Sequence, residues 1–78
     1  MYYLYIVRCA DETLYTGITT DVARRVAEHN TTSRGAKYTR GRRPVTLVFE
    51  KSFLDRASAL REESRIKRLS RKEKMLVM

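Results

Sequence analysis

The segment Tyr2-Tyr3-Leu4-Tyr5-Ile6-Val7-Arg8-Cys9 is the first constraint on what this chain can fold into. It sets tyrosine and aliphatic side chains on both faces of an extended backbone and is rich in β-branched and aromatic types. Residues 2–9 therefore read as a strand. Asp11-Glu12 is a turn signal, and Thr13-Leu14-Tyr15-Thr16 reads as the return strand, ending at Gly17. An N-terminal hairpin commits the chain to a sheet.

Local signals then place the remaining elements. Thr19-Thr20-Asp21 supplies capping residues, and Val22, Val26 and His29 recur at helical spacing, which predicts a helix over 21–30. Asn30 and the run Thr31-Thr32-Ser33-Arg34-Gly35 stop it. Residues 31–44 read as a polar, basic loop ending in Arg42-Arg43-Pro44, and Val45–Phe49 as a strand. Asp55 caps a second helix over 56–68. Ser70 with Glu73 three residues on matches a capping box, which starts a short third helix. The order β-β-α-β-α-α lacks a regular βαβ crossover, so the expectation is one α+β domain over 1–78 with a small antiparallel sheet.

At 78 residues, folding buries only about 60–65% of the unfolded surface, and separate substrate and cofactor domains do not fit. No stretch approaches the roughly 20 apolar residues of a membrane span. The first residues lack the pattern of a signal peptide. Cys9, the single cysteine, forms neither an internal disulfide nor a multi-cysteine zinc site. The expected compartment is the cytoplasm.

Charge gives the first indication of a partner. Seventeen Lys and Arg against nine Asp and Glu leave +8, and the excess sits late: net +1 over residues 1–39 and +7 over 40–78. Such a chain meets a polyanion, nucleic acid first among the options.

Four groups of residues carry possible chemistry. Tyr5 and Tyr15 lie across the hairpin, where opposed Cβ atoms stand roughly 4.5–5.5 Å apart and two hydroxyls can converge; tyrosines are also ordinary strand residues. Arg25 and His29 share a helical face at i, i+4, a phosphate clamp beside a proton carrier. Glu63 falls on the stripe of Ala59, Leu60 and Ile66, while Glu62 points about 100° away toward solvent. A carboxylate there pairs with an arginine or holds a hard cation. Arg34, Lys37, Arg40, Arg42 and Arg43 with Tyr38 among them suit a phosphate backbone with one base stacked.

The order of these residues resembles the GIY-YIG nuclease domain. Its two signature triplets stand here as Tyr3-Leu4-Tyr5 and Tyr15-Thr16-Gly17, followed by Arg25, His29-Asn30, Gly35-Ala36-Lys37, Pro44-Val45 and a late helical Glu63. The resemblance covers nearly the whole chain and is nearest to the small stand-alone bacterial members, the YhbQ/YazA-like group. Tyr3 stands where the first triplet has glycine, and Thr16 where the second has an aliphatic residue; no hydroxyl, guanidinium or carboxylate is lost. The resemblance implies a three-stranded antiparallel sheet with helices around it. It also implies hydrolysis of DNA phosphodiesters with one divalent metal, Mg²⁺ or Mn²⁺, on Glu63.

In that scheme Tyr5 and Tyr15 flank the attacking water and Arg25 neutralises the scissile phosphate. A tyrosine with its ordinary pKa near ~10 is a poor base. Tyr15 is nonetheless the favoured base, with His29 as substitute. Gly17, Asn30, Lys37, Tyr38, Arg40, Arg42 and Arg43 make up the expected nucleic-acid contacts, Gly17 by letting backbone and phosphate approach closely. The substrate is DNA, in branched, damaged or single-stranded form, with RNA open as well. The competing expectation is a DNA- or RNA-binding module with the same basic surface and no catalysis. Oligomeric state and pathway are not legible.

Overall fold

The computed structural model describes residues 1–31, 34 and 36–78. Seven elements follow in order: β1 (Tyr2–Arg8), β2 (Leu14–Thr19), α1 (Val22–Thr31), α2 (Lys37–Arg40), β3 (Thr46–Phe53), α3 (Arg56–Lys67) and α4 (Arg71–Val77). The strands form one antiparallel sheet in the order β2-β1-β3. The expected α+β class and element order hold, with one four-residue helix added.

β1 is central because its sequence is apolar on both faces. Leu4, Tyr5, Ile6 and Val7 are all at most 1% exposed. Tyr5 and Val7 pack with Cys9, Val45, Tyr15 and the α1 residues Val22 and Val26. Leu4 and Ile6 pack on the other face with Ile66 of α3, Leu69 and Val77 of α4. A sheet covered on both sides leaves only its two outer strands open to partners.

The hairpin turn forms because the Asp11 carboxylate accepts from the Thr13 backbone N–H and hydroxyl, at 3.2 and 2.6 Å. Asp21 caps α1 by accepting from Arg24 N–H at 3.0 Å. Asp55 does the same for α3 through Ser58 N–H at 2.7 Å. Ser70 and Glu73 close the expected capping box of α4.

Three expectations are corrected. β2 does not end at Gly17 but continues to Thr19, which pairs with Tyr3. β3 runs to Phe53 rather than Phe49, because Tyr2–Tyr5 need partners; the polar run Glu50-Lys51-Ser52 is exposed outer strand paired with Tyr5, Leu4 and Tyr3. Inside the expected loop 31–44, Lys37–Arg40 winds into α2, held at its ends by Thr39 N–H to Ala36 C=O and Arg42 N–H to Thr39 C=O, each 3.0 Å. Thr32, Ser33 and Gly35, part of the expected helix stop and of the family pattern, lie outside the described residues. Among the described residues no helix is long and apolar enough to cross a membrane.

Candidate active site

Tyr5 is the centre of the site, and Gly17 is what lets it sit there. The register sets Tyr5 opposite Gly17 and Tyr15 opposite Val7, so the two tyrosines are diagonal neighbours rather than the directly opposed pair expected from the hairpin. A Cβ on Gly17 would meet the Tyr5 hydroxyl at 2.6 Å and Cζ at 2.8 Å. The glycine is buried under the phenol. Its visible role is to admit Tyr5, in place of the close approach to phosphate expected of it.

The Tyr5 hydroxyl meets His29 Nε2 at 2.7 Å. Across the ring, Nδ1 lies 2.9 Å from Thr39 Oγ1 and 3.3 Å from Ala36 N–H, and the Thr39 hydroxyl donates to Ala36 C=O at 2.8 Å. With Nδ1 protonated, the imidazole donates to Thr39 and accepts from Tyr5. With Nε2 protonated, it accepts from Ala36 and donates to Tyr5. Burial, reinforced by the nearby Arg25, pulls the His29 pKa down, so the ring is neutral. Burial also pushes the Tyr5 phenol up to about 12 against the pull of Arg25, so Tyr5 keeps its proton. His29 is 0% exposed with both nitrogens engaged. It cannot touch a water at the surface, which corrects its expected use as a direct base.

Tyr15 forms the outer wall. Its ring centroid lies 6.5 Å from that of Tyr5 and 5.4 Å from that of His29, edge-on to the imidazole. Tyr38 of α2 stacks on Tyr15 at 5.7 Å, and the Arg42 guanidinium lies 4.1 Å from the Tyr38 ring centre. Arg42 is itself held by Asp11 at 3.0 Å and Tyr38 C=O at 2.7 Å. Tyr38 and Arg42 therefore brace Tyr15. Tyr38 is itself 38% exposed, between the Tyr15 ring and the Arg42 guanidinium.

The charged groups arrive from two helices, α1 and α3. Arg25 Nη1 donates to Glu28 at 3.1 Å and to Arg34 C=O at 2.7 Å, which fixes its guanidinium beside the Tyr5 oxygen. From α3, Lys67 Nζ sits 5.8 Å above the Tyr15 ring and 3.3 Å from Glu63. The Glu63 charge is felt at Tyr5. Glu62, expected in solvent, is 22% exposed beside 18% for Glu63. Arg65 grips it through two bonds of 2.7 and 2.8 Å, holding its carboxyl below the usual range. Orientation, not exposure, separates the two glutamates.

The other expected contacts divide. Asn30 spends its amide on Val45, donating to the carbonyl at 3.1 Å and accepting from the N–H at 2.7 Å. It clamps the start of β3 rather than facing outward. Arg43 donates to His29 C=O at 2.6 Å and is half-buried. Lys37 and Arg40 remain exposed on α2. Sequence reasoning missed Thr39, Glu28 and Lys67. The last two follow Arg25 at i+3 and Glu63 at i+4, a spacing that signals a helical partner; nothing local marks Thr39.

Among the described residues no cluster of three or more His, Cys, Asp or Glu side chains forms. A site for a divalent cation would rest on Glu63 alone. That fits Mg²⁺, which is commonly held by one or two carboxylates with water and substrate phosphate completing the shell.

The GIY-YIG catalytic domain family model matches residues 1–76. A UPF0213 protein of Halobacterium salinarum is 58% identical over 74 residues, 95% of each chain. One of Desulfotalea psychrophila is 56% identical over 69 residues, and there the match spans 88% of this chain but 63% of the relative's length. The solution structure of UPF0213 protein BH0048 from Bacillus halodurans superposes with a TM-score of 0.63 at 46% identity, covering 99% of this chain and 82% of that one. Relatives thus come from archaea as well as bacteria.

Proposed function

We propose that this chain, which belongs to the GIY-YIG catalytic-domain family, is a divalent-metal-dependent endonuclease that hydrolyses DNA phosphodiesters. One observation carries the reading: residues of two strands and two helices, Tyr15, His29, Arg25 and Glu63, gather around Tyr5.

The geometry supports a role for each residue. Tyr15 is the phenol assigned to the attacking water, because Tyr5 is committed to His29 and holds its proton tightly. Tyr5, buried behind Tyr15, backs that site and passes hydrogen-bond order inward to His29, which Thr39 fixes. Arg25, already anchored by Glu28, lays its remaining N–H groups against the phosphate and neutralises charge that builds in the transition state. Glu63 would hold the cation, which when bound supplies Lewis-acid polarisation of the phosphate and leaving oxygens. Lys67 must release Glu63 for that, and it then stands free beside the substrate anion.

The Lys67–Glu63 pair is also the observation that favours the second reading, a binding module whose carboxylate is permanently neutralised. A panel of linear, nicked and branched DNA, with and without Mn²⁺, separates the two. Hydrolysis requires nicking by the wild type that Arg25→Ala and Tyr15→Phe abolish while DNA binding persists. Activity surviving in both variants would refute the assigned roles.

A further inference from the structure

Two arginines stand apart from the rest. Among the described residues, the side chains of Arg24 and Arg56 make no hydrogen bond or ion pair, whereas every other arginine is engaged. Both are exposed. They come from different elements, the first turn of α1 and the first residue of α3, yet both line one cleft of about 410 Å³. Arg25 forms part of the same wall, and Tyr2 and Thr20 add hydroxyl groups. The one carboxylate lining it, Glu28, is already paired with Arg25. Three guanidinium groups against one carboxylate leave a concentrated positive site next to the reacting centre.

We propose that this cleft is a phosphate subsite, holding the nucleic-acid phosphodiester that neighbours the one on Arg25. Guanidinium forks match phosphate oxygens better than any other side chain, and two unpaired forks facing one cavity are set for a single anion. The volume lies at the low end of ligand pockets, about 300–1,000 Å³, which suits one nucleotide unit rather than a duplex. Because Arg25 borders both places, a strand bound in the cleft is carried across Tyr5 and Tyr15. The inference deepens the nuclease reading and rests on it only for the identity of the phosphate.

The test compares Arg24→Gln/Arg56→Gln with Lys72→Gln/Lys74→Gln, which removes equal charge from α4, outside the cleft. A labelled DNA stem with a single-stranded arm is titrated by anisotropy without divalent metal over a series of NaCl concentrations. The cleft variant is expected to lose affinity about tenfold at low salt, with a log–log salt slope shallower by about one. The lysine variant should lose no more than roughly threefold. In cleavage assays the cleft variant raises KM and keeps kcat. Equal losses in the two variants would overturn the subsite, leaving only general charge. Calorimetric uptake of inorganic phosphate by the wild type, with DNA binding unchanged in the cleft variant, would make it a small-anion site and overturn it too. Absence of cutting by every protein refutes hydrolysis and leaves the binding comparison standing.

Discussion

Gly17→Ala tests the packing that positions the whole site. The new Cβ would stand 2.6, 2.8 and 3.0 Å from Oη, Cζ and Cε1 of Tyr5. Tyr5 is 1% exposed, so the ring has nowhere to retreat without disturbing the core or leaving His29. Overpacking of this kind costs about 1–3 kcal/mol. Loss of the buried Tyr5–His29 hydrogen bond adds about 1 kcal/mol. Gly17 does not have a positive φ, so alanine gains about 0.4–1 kcal/mol from the less flexible unfolded chain. The net is a loss of roughly 2 kcal/mol, a drop in Tm of roughly 8–16 °C for a domain this small. Urea unfolding followed by circular dichroism measures it. Tyr5→Phe removes the atom at the shortest contact, so the double variant should recover about 1 kcal/mol relative to additivity. If Gly17→Ala is as stable as wild type, Tyr5 is not held over the glycine and the reasoning is wrong.

Three further outcomes follow from single residues. The Thr16 hydroxyl is buried with no hydrogen-bond partner among the described residues, so Thr16→Val should gain about 1 kcal/mol in chemical unfolding; a loss would mean the hydroxyl is satisfied. His29 is the only histidine and its folded pKa lies below the ordinary 6.5, so the unfolded chain binds its proton first. Its stabilising contribution is present above pH 6.5 and is lost as pH falls through the folded value, so stability should decline from pH 7 toward 5. That slope should flatten in His29→Gln, and an unchanged slope would place the titration elsewhere. Asn30→Ala should cost about 2 kcal/mol through its two bonds to Val45 yet leave the salt slope of DNA binding unchanged; a shallower slope would restore Asn30 as a phosphate contact.

What could be read from the sequence was what short-range physics decides. The alternating run at Tyr2–Cys9 gave a strand, and Asp55, Ser70 and Glu73 gave helix starts, because caps and periodicity act within four residues. The edge of β3 escaped because Glu50–Ser52 are polar on a strand whose pairing with Tyr3–Tyr5 is non-local. Strand patterning puts Tyr5 and Tyr15 on one hairpin, but their diagonal offset depends on a turn spanning Cys9–Thr13 that composition does not fix. The same limit explains the basic residues. Arg42 and Arg43 read in the sequence as phosphate contacts, and only the fold shows them tied to Asp11 and His29. Helical spacing puts His29 on the Arg25 face but does not reveal that it is buried, with Thr39, ten residues on, holding its ring.

In the proposed reaction Glu63 and the tyrosine pair work together on one phosphate. Single-turnover cleavage of labelled DNA at saturating protein in Mn²⁺, comparing wild type with Glu63→Gln, tests it most directly. Wild type should cut, and Glu63→Gln should bind DNA as tightly while its rate falls by about 100-fold or more. Cutting by Glu63→Gln at the wild-type rate would mean that Glu63 does not hold the catalytic cation.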